Sequence, residues 1–583
     1  MASLKPGLVI ALLALCGAVG AYADEPQKVS HPGMYRGWSE RLYNDRVRTS
    51  QYVAVRDGTR LAVDIYRPAI NGKPVELRYP VVWVFTPYRR AFRQPDGTIK
   101  TGNDPLLRLT EYGYVIAMVD TRGKGASFGA RRGFQDRTEA LDGYDINEWL
   151  ALQPWSTGKV GMAGCSYVGG SQKLVATTAP PHLRAIFPGC TDFDKYDFVS
   201  RGGMTAQFHT RPEDPATDWG EGVLPVDDDK DGSLLRAAQE EHRANTLMAP
   251  IWKEIPNRDG WSKLLGSQYW REVSFSSYVD VVQRSGIAIY NWGGWHDEGS
   301  EAQFLTLANL RNPQKLWMGP LSHCQSGDFD LVAEHLRFFD YWLKDIDNGI
   351  MREPPIYYAT LDAPAGKEFQ FADKWPLPDE RRTRFYLRDG GVLATGPARA
   401  GKTMLQVDYN VSCAQPPIFW PCVQDAKGAT FTTPALSRNL RITGHPVVHL
   451  WVTSTATDGD FFAYLEDIRP DGSVDIVAHG RLQASARALQ TPRFNNLGLP
   501  WHRVEGADRI NLVPGKPTEL VFALLPTSKI FQAGHKMRVT ITGADPRQRD
   551  RREMSPPPRV EILADGAHTS FVELPVIPDR TVQ

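Results

Sequence analysis

The chain has 583 residues, 42% hydrophobic and 23% charged, which is ordinary globular material and too long for one simple core, so two or more domains are expected. Lys plus Arg and Asp plus Glu each total 67, so the formal charge is zero and no basic field exists to hold a polyanion. A nucleic acid partner is not expected.

The N-terminus carries one lysine, an apolar run from Leu8 to Val19 and the small-residue pattern Ala21-Tyr22-Ala23. This predicts a secretory signal peptide over residues 1–23, cut after Ala23, and with it an exported protein, periplasmic or secreted. No later apolar stretch approaches the ~20 residues of a membrane span, so none is expected once the leader is gone. Of six cysteines, Cys16 falls in the leader, which leaves an odd number in an oxidising setting. Cys413 and Cys422 bracket the short loop AQPPIFWP and are expected to pair. Cys165, Cys190 and Cys324 fall near the candidate site, and a Cys190–Cys324 bridge is expected there.

From Gln51 the alternating segment QYVAVRDGTRLAVDIYRP predicts a hairpin turning at Asp57-Gly58. The apolar runs YPVVWVFTPY, YGYVIAMVDTRG and KVGMAGCSYVGG follow, separated by helical patterns such as TEALDGYDINEWLALQ. Runs buried on both faces and alternating with helices predict a mostly parallel sheet with crossover helices. Between about residues 198 and 285 the rhythm gives way to polar, Trp-rich, helix-prone sequence, which reads as a helical cap. It resumes with GIAIYNWGGWHD and QKLWMGPLSH, and the amphipathic helix EHLRFFDYWLKDIDNG closes this part. Short alternating strands then run to the end, so residues 24–380 are expected to form an α/β domain and residues 381–583 a β-sandwich.

Gly164-Cys165-Ser166-Tyr167-Val168-Gly169 follows the strand-like VGMAG and precedes the helix-prone SQKLVATTA. That context suits a nucleophile elbow, where a serine sits on a strained strand-to-helix turn and small neighbours let the backbone fold tightly. The second glycine of the usual Gly-x-Ser-x-Gly is Val168 here, with Gly169 one place later. A serine hydroxyl needs a histidine base, itself oriented by a carboxylate. In α/β-hydrolases the order is Ser, acid, His, each at the C-terminal end of a strand. Asp297 after IAIYNWGGW and His323 after KLWMGPLS meet that order. Singly, Asp297 reads equally well as a helix cap and His323 as a loop residue; the three together are the signal. His296 is a weaker base, since a residue abutting the acid is poorly placed to be presented by it. His335 and His449 read as packing or surface residues.

The stretches DGTRLAVDIYRP, TPYRR, DTRGKGAS, DGYDINEWLALQPWSTGKVGMAGCSYVGG, NWGGWHDEG, GPLSHC, LRFFDYWLKDIDNG and GHPVVHLWVTSTATDGDFFAYLEDIRPDG span nearly all of the mature chain. Together they resemble the X-Pro dipeptidyl-peptidase and cocaine-esterase family of α/β-hydrolases. The resemblance implies Gly-x-Ser-Tyr-x-Gly at the nucleophile, which accommodates Val168. It also implies that Tyr88, in TPYRR, joins the backbone N–H of Tyr167 in an oxyanion hole. It further implies a helical cap, a C-terminal jelly-roll domain, and an acyl-transfer hydrolase of small ester, amide or short peptide substrates that requires no cofactor.

Within that class the alternative is a dipeptidyl-peptidase or α-amino-acid ester hydrolase that recognises a free amine. Glu298, just beyond Asp297, is the candidate substrate-binding carboxylate, with Asp192, Asp194 and Asp197 as further acids nearby. In Val226-Asp227-Asp228-Asp229-Lys230-Asp231-Gly232 the alternating acids resemble the first half of a calcium loop, but Ala238 stands where the bidentate glutamate belongs. Asp227, Asp229 and Asp231 are therefore read either as calcium ligands or as an acidic turn capping the helix SLLRAAQEEH. From another class, the chain reads as a binding protein with a vestigial hydrolase half, against which stands the complete triad.

Overall fold

The computed structural model describes residues 1, 27–205, 222–396, 400–414, 419–548 and 551–578. The predicted leader, Met1 apart, lies outside them. Among the described residues no helix is long and apolar enough to cross a membrane.

The N-terminal part is built on a sheet of 11 strands. Its main members are β1 (Asp45–Ala54), β2 (Arg60–Ile70), β3 (Tyr79–Thr86), β4 (Val115–Asp120), β5 (Ser156–Cys165), β6 (Leu183–Gly189), β7 (Ala288–His296), β8 (Gln314–Ser322), β9 (Ile356–Ala359) and β10 (Phe369–Ala372). Their order is β10-β9-β8-β7-β6-β5-β3-β4-β2-β1. The pairs from β4 through β9 are parallel, and antiparallel pairs close both edges. The predicted hairpin joins β1 to β2, and Gly58 takes the positive φ of 84° that the turn at Asp57-Gly58 demands. All eight residues of β3 are buried, because helices cover both faces. Val81, Trp83 and Phe85 pack with Ile146, Leu150 and Val175 from α1 (Arg137–Ala151) and α2 (Tyr167–Ala176). Val82 and Val84, on the opposite face, pack in one cluster with Leu336, Phe338 and Phe339 of a later helix, Leu331–Lys344. That two-sided burial explains why the strand reads as a continuous apolar run.

Among the described residues, short helices run through and just before the stretch read as a cap, including Lys195–Ser200, Met248–Glu254 and Tyr269–Val273. Their buried Tyr196, Trp252 and Trp270 join the core of the C-terminal half and not that of the parallel sheet. From Arg381 onward the strands form a 13-stranded, largely antiparallel network around that core. One-sided burial alternates along them, as in Val447–Ser454, where Val448, Leu450 and Val452 face inward.

Cys413 and Cys422 are bonded, as their spacing predicts. The expected Cys190–Cys324 bridge is not formed: Cys324 is bonded to Cys165, and Cys190 is a buried free thiol. The sulfurs of Cys165, Cys190 and Cys324 lie within 4.8 Å of one another, so chain spacing alone does not choose among the pairs. The Cα atoms of Cys165 and Cys324 stand 5.8 Å apart, the usual separation for a disulfide.

Candidate active site

Ser166 sits between β5 and α2 with φ 62° and ψ −126°, outside the regions an L-residue normally occupies. Such strain costs of order 1–3 kcal/mol and persists only where surroundings over-determine it. Here the Ser166 N–H donates to Gly189 O at 2.9 Å and the Gly170 N–H donates to Ser166 O at 2.9 Å. Two glycines make the turn fit. A Cβ on Gly164 would lie 2.2 Å from Cγ1 of Val168, and one on Gly169 would lie 2.5 Å from the carbonyl oxygen of Gly189. The glycine one place late thus lets α2 cross the end of β6.

Asp297 follows β7 and His323 follows β8, both at the C-terminal edge of the sheet where Ser166 stands. His323 Nε2 lies 2.8 Å from Ser166 Oγ and His323 Nδ1 lies 2.9 Å from Asp297 Oδ2. The other Asp297 oxygen accepts the Gly299 N–H at 3.1 Å. Asp297 is 1% exposed, so this carboxylate acts on the imidazole with little solvent between them. His296 points elsewhere: its ring packs 4.9 Å from Trp420, and burial holds its pKa below the ordinary histidine value. His335 packs against Phe187, and burial alone pushes its pKa down to about 3.

Tyr88 leaves the end of β3, and its ring stands 6.2 Å from the ring of Tyr167 in edge-to-face contact. The loop is anchored by Arg90, whose buried guanidinium pairs with Asp64 at 2.7 Å and Asp120 at 3.2 Å and donates to Leu224 O at 2.8 Å. This explains why TPYRR and DTRG go together: Asp120 is the last residue of β4, and it also accepts the Arg90 N–H. Tyr167 is pinned from below. Its hydroxyl donates to Glu139 of α1 at 2.5 Å, and Gln135 donates to its carbonyl at 2.7 Å. Burial, above all, lifts the Glu139 carboxyl to about 7.

Glu298 turns away from the Ser166 side. Its Oε1 accepts from Arg481 and Arg547, each at 2.9 Å, and Arg201 lies 3.8 Å from Oε2. Burial raises its pKa, but the arginines win and hold it well below the usual carboxylate range. The neighbouring acids are engaged too. Asp192 pairs with Lys195, while Asp194 and Asp197 each sit 2.6 Å from Arg258. The acidic turn is a helix start: Asp229 accepts the N–H groups of Leu234 and Leu235, Asp231 accepts that of Ser233, and Asp227 accepts from Ser50 on β1. Asp227, Asp229 and Asp231 are thus spent on separate backbone donors and share no common centre. The only described groups with metal-ligand spacing involve Cys165, Cys190 and Cys324, or Cys190, Asp297 and His323. Two of those three sulfurs are consumed in the disulfide.

The sequence reading missed one wall of the site. Phe419, on the loop closed by Cys413–Cys422, stacks on His323 with 3.8 Å between ring centroids. Its neighbour Trp420 packs on His296 and His479, and its Nε1–H donates to Ile476 O at 3.2 Å. The signal was two adjacent aromatics on a short disulfide-closed loop, of which Trp420 packs against a small buried cluster of Phe462, Tyr464 and Ile476 while Phe419 stacks on the histidine.

Residues 57–325 match the family model described as X-Pro dipeptidyl-peptidase (S15 family), and residues 348–571 match the X-Pro dipeptidyl-peptidase C-terminal non-catalytic domain. A Mycobacterium bovis protein that carries the name serine esterase is 31% identical, over 96% of this chain and 99% of its own. The cocaine esterase of Rhodococcus sp. is 25% identical, over 86% of this chain and 91% of its own. Among solved structures, a CocE/NonD family hydrolase from Staphylococcus aureus superposes with a TM-score of 0.72 at 20% identity, covering 91% of this chain and 94% of that one. The fold is thus shared by chains whose sequences have largely diverged.

Proposed function

The chain belongs to the X-Pro dipeptidyl-peptidase S15 family of serine hydrolases, and from that premise we propose that it is an exported hydrolase of small esters, amides or short peptides that works through Ser166, His323 and Asp297. Ser166 Oγ attacks the carbonyl carbon while His323 Nε2 takes its proton. Asp297 holds the Nδ1–H of His323 and stabilises the imidazolium that forms. The oxyanion is met by the Tyr88 hydroxyl and the Tyr167 N–H, two donors aimed before the charge develops. His323 then protonates the leaving group, and water, activated in the same way, releases the acyl group. No cofactor is needed.

The observation that carries this reading is the unbroken chain from Asp297 through His323 to Ser166, at 2.9 and 2.8 Å, ending on a serine in a strained conformation. Export is supported by the N-terminal leader pattern and by two disulfides, which persist in oxidising compartments. Recognition of a free amine is disfavoured, because Glu298 and the acids Asp192, Asp194 and Asp197 are already neutralised by arginine or lysine. An aminoacyl ester is expected to exceed its N-acetylated counterpart in kcat/KM by less than about tenfold, ~1.4 kcal/mol.

A fluorophosphonate probe tests the assignment. Labelling is expected at Ser166, and Ser166→Ala should abolish it and reduce ester turnover by several orders of magnitude with the fold intact. Turnover retained in Ser166→Ala would overturn the assignment, and absence of labelling in the native chain would favour a binding protein.

A further inference from the structure

The strands that deliver the nucleophile and the base are not neighbours. β6 and β7 lie between β5 and β8, which at the usual spacing puts the two strands about 14 Å apart. Yet Ser166 and His323, one residue beyond their ends, meet at 2.8 Å. No ladder hydrogen bond joins β5 to β8 directly, so the approach of the loops needs another restraint. The disulfide supplies one: Cys165 immediately precedes Ser166 and Cys324 immediately follows His323, and their Cα atoms are 5.8 Å apart although 159 residues separate them in sequence. Both loops also hold a non-glycine residue at positive φ, Ser166 at 62° and Cys324 at 60°. Conformations of that kind relax unless something holds them.

Resting on the proposed triad, we infer that the Cys165–Cys324 disulfide is a positioning element for catalysis, which fixes Ser166 against His323 and makes hydrolysis conditional on the oxidised state. Cys190 shapes the same device. It stands at the end of β6, between the two loops, with its sulfur accepting the Cys324 N–H at 3.2 Å and itself at positive φ. Burial, and after it the charge of Asp297, pushes its thiol well above the ordinary range. Cys190 therefore stays protonated, and only a thiolate attacks a disulfide, so the third sulfur remains beside the bridge without exchanging into it. A dithiol reductant breaks the bridge in two exchanges: its first thiolate forms a mixed disulfide, and its second sulfur displaces the protein thiolate. The protein keeps two thiols, Cys165 and Cys324, and the reagent leaves as its cyclic disulfide. In the oxidised state the two loops move as one unit, whereas in the reduced state each is free to relax. The consequence is hydrolysis confined to an oxidising compartment.

The test compares native full-length protein, the same protein treated with dithiothreitol, and the variant Cys165→Ala with Cys324→Ala, using a p-nitrophenyl ester and a fluorophosphonate probe at a temperature where circular dichroism shows all samples folded. A misplacement of about 1 Å costs up to about a hundredfold, so kcat and the probe-labelling rate are expected to fall together by roughly ten- to hundredfold. KM should change by less than about threefold, because the effect falls on the alignment of the reacting groups and not on ground-state binding. Dithiothreitol should have no further effect on the variant, and it should still inactivate Cys413→Ala with Cys422→Ala. A bridge with a merely structural role would lower Tm and leave kcat unchanged in folded protein, and that result would overturn the inference. If the double variant does not fold, reversible titration of native protein between dithiothreitol and its oxidised form decides. Activity that follows the Cys165–Cys324 bond, read by mass spectrometry of non-reduced peptides, sustains the inference, and activity indifferent to it overturns it. Failure of the triad assignment is separately visible as turnover in Ser166→Ala.

Discussion

Asp297 and Glu298 are adjacent in sequence and almost equally buried, at 1% and 2% exposed, yet they serve opposite sides of the molecule. Asp297 faces Ser166 and His323, where its oxygens hold His323 and the start of the following helix at Gly299. Glu298 faces the C-terminal half, where Arg481 and Arg547 share one of its oxygens and Asp545 in turn holds Arg547. Around Asp297 the polar chain ends on a strained hydroxyl, while around Glu298 every charge is answered by another. A buried carboxylate that orients an imidazole beside a strained serine fits the proposed chemistry. One surrounded by guanidinium groups is working on the junction between halves.

Paired substitutions break the two roles apart. Asp297→Asn keeps the shape but presents the wrong hydrogen-bonding partner to the imidazole, so kcat should fall by about four orders of magnitude with Tm nearly unchanged. Glu298→Gln removes one charge from a buried network and leaves its arginines uncompensated, at a cost of about 3–5 kcal/mol in stability. Well below its lowered Tm, the Glu298 variant should keep kcat within a few-fold of native. Kinetics and thermal unfolding on both variants check the contrast, and a Glu298 variant that loses kcat while keeping Tm would reverse the assignment of roles.

Tyr88→Phe sharpens the same contrast on the Ser166 side. It removes one donor and no charge, with an expected loss of about 3 kcal/mol in transition-state stabilisation and little change in Tm, since the buried ion pairs of Arg90 that anchor the loop are untouched. An unchanged kcat/KM would put the second donor elsewhere.

How far the sequence disclosed these roles depends on how local their causes are. The elbow was legible because its glycines, its serine and the flanking strand and helix are contiguous, and the order Ser166, Asp297, His323 follows from strand ends that each read as apolar runs. Cys413–Cys422 was legible because only a short loop separates the pair. The Cys165–Cys324 pairing was not, because the choice among three gathered sulfurs is made by β6 and β7 spacing the loops, a tertiary matter. Glu298 looked like a free carboxylate because the arginines that satisfy it arrive from 183 and 249 positions further along the chain. Phe419 on His323 was hidden for the same reason. No periodicity announces a loop from an all-β region reaching across to the proposed catalytic base.

The smallest effect tests the support under the proposed oxyanion hole through its dependence on pH. Glu139 is fully buried beneath α2, where it accepts from the Tyr167 hydroxyl at 2.5 Å and the Ser171 hydroxyl at 3.3 Å. Burial is the main reason its carboxyl is lifted from 4.5 to about 7, and the nearby Asp136 pushes the same way while Arg131 opposes. The sign follows from proton uptake. Between about pH 4.5 and 7 the folded protein holds a proton on Glu139 that the unfolded chain has released, so stability from this group is complete below 4.5 and lost as pH rises through 7. Glu139→Gln is neutral at every pH and keeps an oxygen for the Tyr167 hydroxyl. Its Tm relative to native should therefore lie close to zero or slightly below at pH 4.5 and climb by a few degrees on reaching pH 8. Thermal unfolding of both proteins at pH 4.5, 6 and 8 reads the difference directly. A difference independent of pH would mean that the Glu139 carboxyl ionises in the fold as it does in water, and a difference that falls with rising pH would mean that its anion is the form the Tyr167 hydroxyl prefers.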